Sequence, residues 1–181
     1  MERRRVFIGL PPGDALMAEI DDFRRSHGEL KARWIHPENL HVTLVPPWEL
    51  LNPLPACMVL EGIASATAPV PVRFDAVSAG PDSRRPRLLW ATGAAPDHLR
   101  TLAAQLNGTF GDGREVQRGF LLHLTIARFK SREARSTSVM KLREPVGWDL
   151  LLDRICLYES ILKPTGAEYR ELCTYPLSFQ L

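Results

Sequence analysis

The sequence predicts an α+β protein, with strands at its centre and helices outside, built on a duplicated unit. Three observations carry this. Short apolar runs ended by proline or glycine alternate with stretches whose apolar residues recur at helical spacing. The order strand, helix, strand occurs twice. Three landmarks then repeat at one offset: Phe7 and Leu89, Asp14 and Pro96, and His41 and His123 each stand 82 positions apart. The repeat units run roughly over residues 5–48 and 87–130, within one domain covering 1–181.

Each element has its own local cause. Residues 6–10, Val-Phe-Ile-Gly-Leu, form an apolar run stopped by Pro11-Pro12-Gly13, which reads as a buried strand. Asp14 reads as an N-cap, followed by Leu16, Met17, Ile20 and Phe23 on one helical face and an end near Gly28. After Arg33-Trp34-Ile35 comes a turn at Pro37-Glu38-Asn39, then a strand over 40–45 stopped by Pro46-Pro47. Residues 50–68 read as helical, and 70–77 as a strand. The second unit opens on a strand at 88–91. Pro96 and Asp97 start a helix carrying Leu99, Leu102, Ala103 and Leu106 that ends at Gly108. A glycine-rich loop over 111–119 leads to a strand at 120–129, and two further strands fall at 150–158 and 169–179. Residues 130–146 are polar and show no period.

Composition narrows the class. The chain has 181 residues, 45% hydrophobic and 24% charged, as expected of a globular domain with a sizeable core. A net charge of +2 gives no global nucleic-acid signal, although arginines cluster at 3–5 and at 84, 85 and 87. Three cysteines, at 57, 156 and 173, have no C-x-x-C spacing, which argues against a disulfide framework or a zinc knot and for buried free thiols. The apolar run after MERRR is too short for a signal peptide, and no segment reaches the length of a membrane span. The expectation is a cytoplasmic protein with no membrane partner, functioning as a monomer.

The chemistry lies in two matching tetrapeptides, His41-Val-Thr-Leu and His123-Leu-Thr-Ile. Alternate side chains of a strand share a face, so His41 projects with Thr43 and His123 with Thr125, while the apolar residues between them turn inward. If the halves are related by a pseudo-twofold axis, both pairs converge on one groove. Imidazole, with a pKa near neutrality, can take a proton from water or give one to a leaving oxygen. The hydroxyls can bind phosphate oxygens. Arg128 lies five residues past His123, so a regular strand would place it on the opposite face; a bulge would turn it inward to clamp the same phosphate. A lone His-x-Thr is commonplace, but two at corresponding places of a repeat are not. A metal site built on the two histidines lacks a third ligand nearby in sequence, and no cofactor or metal is expected.

These residues, with their surroundings, resemble the RNA 2′,3′-cyclic phosphodiesterases, or 2′-5′ RNA ligase-like proteins, of the two-histidine phosphoesterase superfamily. The resemblance covers nearly the whole chain: the opening strand from Arg5 to Pro11, the first motif from Ala32 to Leu44, the second from His123 to Arg128, and Leu157-Tyr-Glu-Ser160 followed by Tyr169. It implies a two-lobed fold with antiparallel sheets around a central groove. It also implies metal-independent opening of a 2′,3′-cyclic phosphate on RNA to a 2′-phosphate. On this resemblance His123 activates water, His41 protonates the 3′ oxygen, and Thr43, Thr125 and Arg128 hold the phosphate. The chain departs from the family pattern at Val45-Pro46-Pro47-Trp48 and at Leu122.

Phe7, Trp34 and Trp48 are candidates to stack on bases, with core packing the favoured reading for each. Other substrates would use the same residues: a small cyclic nucleotide, or a 2′-5′ linkage with weak reverse ligation. A non-catalytic RNA-end binder is the alternative outside enzymology, although it has no need of a matched acid–base pair.

Overall fold

The computed structural model describes residues 3–82, 84–111, 119–130, 136–164 and 166–178. The apolar run of the first strand becomes β1 (Arg4–Leu10), buried from Val6 onward because sheet neighbours lie on both sides and core packs on both faces. There follow α1 (Asp14–Ser26), β2 (Ala32–Trp34), a single 3₁₀ turn at Pro37–Asn39, β3 (Val42–Leu50) and α2 (Leu54–Ser65). Next come β4 (Val70–Gly80), β5 (Leu88–Gly93), α3 (Asp97–Phe110) and β6 (Leu122–Phe129). The short α4 (Thr137–Met140) then precedes β7 (Arg143–Leu152), β8 (Arg154–Lys163) and β9 (Gly166–Pro176).

The strands pair antiparallel in the order β7-β4-β5-β6-β3-β1-β8-β9, with β2 added alongside β6. The two motif strands, β3 and β6, therefore meet in the middle. They touch at one register pair, Val42 opposite Leu124, and diverge on either side of it, so the sheet curls around a groove there. Outward from β6 run β5, β4 and β7, and outward from β3 run β1, β8 and β9.

The helices cross between the halves. Although α1 follows β1, it buries Leu16, Ile20 and Phe23 against β7, where the Phe23 ring meets Trp148 edge-on at 5.8 Å. In turn α3 follows β5 but covers β3, where the buried Asn107 Nδ2 donates to the Leu44 carbonyl at 2.7 Å. Each half is thus braced by a helix from the other, and a continuous apolar core joins them.

Several local expectations are corrected. Gly13, not Asp14, is the N-cap of α1, and α3 runs past Gly108 to Phe110 because that glycine does not take the positive φ with which a glycine ends a helix. Pro46-Pro47 do not stop β3. Both stand opposite the single residue Phe7, between the pairs Ile8–Val45 and Val6–Trp48, so their missing N–H groups fall where a bulge has already broken the ladder. The expected strand at 150–158 is two strands, β7 and β8, divided at Asp153. The polar stretch 130–146 contains α4, capped by the Ser136 hydroxyl, and the start of β7. The loop over 111–119 lies largely outside the described residues.

The cysteine reading is corrected too. Cys57 of α2 and Cys173 of β9 form a disulfide, while Cys156 is a free, buried thiol. The partners lie 116 residues apart and meet because α2 packs across β8 and β9. No local spacing could signal such a pair. Among the described residues no helix is long and apolar enough to cross a membrane.

Candidate active site

The two histidines are held in the same way. His41 follows the 3₁₀ turn, and its Nδ1 lies 2.8 Å from the carbonyl oxygen of Asn39. His123 Nδ1 lies 3.0 Å from the carbonyl of Leu121. A carbonyl only accepts, so in each ring Nδ1 carries the proton and donates it two residues back along the chain. With Nδ1–H so committed, Nε2 is the ring nitrogen left for chemistry in each. Both rings, with Thr43 and Thr125, line one groove of about 790 Å³. Alternation explains the shared face: Val42, Leu44, Leu124 and Ile126 are buried on the other side.

Arg128 joins them through a bulge. Trp90 pairs with Thr125 and Leu89 with Ala127, which leaves Ile126 without a partner on β5. Ile126 and Ala127 are both buried, the alternation slips by one, and Arg128 returns to the histidine face and lines the groove. A strictly regular strand would have pointed it away.

The aromatics divide three ways. Trp34, on β2, is partly buried and lines the groove. Phe7 borders it but is only 2% exposed. Its ring lies 4.7 Å from His41, 4.9 Å from Tyr158 and 4.8 Å from Tyr169, so it forms the wall behind His41 and offers no free face to a base. Trp48 is not in the groove. Its neighbour Pro47 is, so Trp48 turns to the opposite side and packs on Phe110 at the end of α3.

Several further residues build the site, and the sequence assigns none of them a role in it. Asn39 accepts from Tyr169 N at 3.1 Å through Oδ1 and donates through Nδ2 to the Ala167 carbonyl at 3.2 Å, while its own carbonyl holds His41. One residue thereby ties β9 to the first histidine. Trp90 braces the second, its ring edge-on to His123 at 5.2 Å and its Nε1 donating to Ser78. Arg5 and Arg33 bring positive charge to the groove wall beside Arg128. The β8–β9 hairpin leans over that wall at Gly166, whose φ of +132° favours glycine and where a Cβ would collide with the Arg33 guanidinium. Tyr169 and Asn39 fall within the segments that carry the resemblance, but it is tertiary packing that brings them together.

The electrostatics separate the histidines. Burial pushes the His41 pKa down from 6.5 to about 4, reinforced by the nearby His123 and Arg128 and opposed by the Asn39 hydrogen bond. In the free protein His41 is therefore neutral at pH 7. Between pH 4 and 6.5 the unfolded chain binds a proton at this position that the folded one refuses, so stability falls as pH drops through that window. The full effect is about 3 kcal/mol. Denaturant titrations from pH 4 to 7 should show this slope in the wild type and a flatter one in His41→Gln.

Comparisons with known proteins bear on the family and the fold. A family model described as the 2'-5' RNA ligase superfamily matches residues 12–163. An RNA 2',3'-cyclic phosphodiesterase of Aquifex aeolicus is 25% identical over 179 residues, covering 91% of this chain and 93% of the relative. A protein of the same description from Archaeoglobus fulgidus is 24% identical over 172 residues, covering 93% and 97%. Among solved structures, TT0787 of Thermus thermophilus superposes with a TM-score of 0.76 at 22% identity, covering 96% of this chain and 97% of that one. E. coli LigT complexed with NADP+ gives 0.76 at 21% identity, covering 99% and 100%. These neighbours share the curled antiparallel sheet.

Proposed function

Because the chain belongs to the 2'-5' RNA ligase superfamily, we propose that it hydrolyses the 2′,3′-cyclic phosphate at an RNA end to a 2′-phosphate, with His41 and His123 as its acid–base pair and no metal. The chain is a phosphodiesterase; the substrate and the roles of its residues are the proposal. One observation carries it. Two imidazoles, each fixed by a Nδ1–H bond to the carbonyl two residues back, present Nε2 to one groove.

In the proposed reaction His123 Nε2 takes a proton from water, whose oxygen attacks phosphorus in line with the 3′ oxygen. The P–O3′ bond breaks, and His41 Nε2 delivers a proton to that oxygen. Thr43, Thr125 and Arg128 hydrogen-bond the non-bridging oxygens as charge builds on them. His41 is neutral in the free protein, so its proton depends on the bound phosphate. Burial is what chiefly keeps the ring uncharged, and the negative charge of the bound phosphate favours the imidazolium against that penalty. A polynucleotide end suits the groove better than an isolated cyclic nucleotide, because Arg5, Arg33 and Arg128 share its wall and Trp34 lies beside them to stack on a base.

Regiochemistry tests the reading. With a short RNA ending in a 2′,3′-cyclic phosphate, ³¹P NMR should show the cyclic signal replaced by a 2′-phosphomonoester alone. A 3′-phosphate product, or an unchanged cyclic signal, would refute it.

A further inference from the structure

Beside the groove lies a second cavity of about 470 Å³, open to it along Thr43, Pro47 and His123. Pro46 and Pro47 form one wall and Ala104 of α3 another, with Leu121 among the remaining lining residues. Leu121 is 51% exposed, a large apolar side chain held in solvent two residues before His123. The two arms differ in chemistry. Three arginines, Arg5, Arg33 and Arg128, line the groove, Arg5 donating to Ser160; the cavity lining has one, Arg100, whose charge is met by the Asp97 carboxylate and which also bonds the Ala95 carbonyl. The cavity is therefore a poor place for a phosphate and a good one for a flat, uncharged, largely apolar group. The proline pair adds rigidity and contributes no N–H donor.

We infer that this cavity is the base pocket for the nucleotide that carries the cyclic phosphate. The inference rests on the proposed hydrolysis. With phosphorus between the two Nε2 atoms, the ribose that bears it stands at the junction of groove and cavity. Its base enters the cavity against Pro46, Pro47 and Leu121, and the preceding phosphates run along the arginine wall. Pro46-Pro47 then becomes part of what selects the terminal base.

The test uses two short RNAs of one sequence. One ends in adenosine 2′,3′-cyclic phosphate and the other in 1,4-anhydroribitol 2′,3′-cyclic phosphate, which lacks the base. Wild type should favour the first by about tenfold or more in kcat/KM. Ala104→Trp, at an exposed position, should fill the cavity, raise KM for the base-bearing end and bring the preference close to one. Its unchanged turnover of the base-free end would show that the variant is folded. Equal use of both RNAs by wild type, or a preference that survives Ala104→Trp, would overturn the base pocket while leaving the hydrolysis intact. If wild type hydrolyses neither RNA, the proposed function fails and takes the pocket with it.

Discussion

Alanine at His123, and separately at His41, is expected to lower kcat for cyclic phosphate hydrolysis by roughly two to four orders of magnitude, the share that positioned acid–base groups commonly supply. The reason lies in the shared arrangement of the rings. Each Nδ1–H is committed to a backbone carbonyl, so each residue contributes its Nε2, and losing the ring removes that function. The double variant should be little worse than either single one, since water activation and leaving-group protonation act in the same transition state. Wild type should show a bell-shaped pH–rate profile, and each single variant should lose one limb. His41 also packs against Phe7 and Tyr169, so His41→Gln, closer in volume, separates lost chemistry from lost packing. Stopped turnover with an unchanged melting temperature is the expected result. A loss under tenfold in either variant would remove that histidine from the mechanism.

Arg128→Ala should reduce kcat/KM by about a hundredfold or more, because a forked cation on the non-bridging oxygens is lost as charge develops. Arg128→Lys should recover only part of this, since an ammonium supplies a point charge without the planar fork. Arg128 is exposed, and its strand neighbours carry the packing, so neither substitution should change stability appreciably. If lysine restored full activity, the arginine would be acting only as long-range charge. If alanine had no effect, the bulge at Ile126 would not serve the phosphate at all.

How far these features can be read from sequence depends on the range of the physics behind them. The His-x-Thr pairs are legible because strand alternation is local: two residues along, the same face returns. The bulge that brings Arg128 round is not, because it depends on which β5 residue faces Ile126. Pro46-Pro47 misleads for a related reason, since proline is excluded from a ladder only where a hydrogen bond is required, and here the ladder is interrupted. The exchange of α1 and α3 between halves leaves no mark in either helix, whose apolar stripes record that a face is buried but not what buries it. Residue type alone makes Phe7 and Trp48 stacking candidates with packing as the favoured reading; Phe7 is the wall behind His41 and Trp48 part of the packing on α3. Asn39, Tyr169 and the Cys57–Cys173 bridge all depend on where the β8–β9 hairpin lies, through contacts between residues more than a hundred positions apart.

The most direct test of the central claim is a time course on a short RNA ending in a 2′,3′-cyclic phosphate, run in EDTA with wild type, His41→Ala and His123→Ala side by side. The account predicts full conversion to a 2′-phosphate end by the wild type, unaffected by the chelator, and near-background rates for both variants. A wild type that is inert in EDTA and gains activity on adding a divalent cation would contradict it.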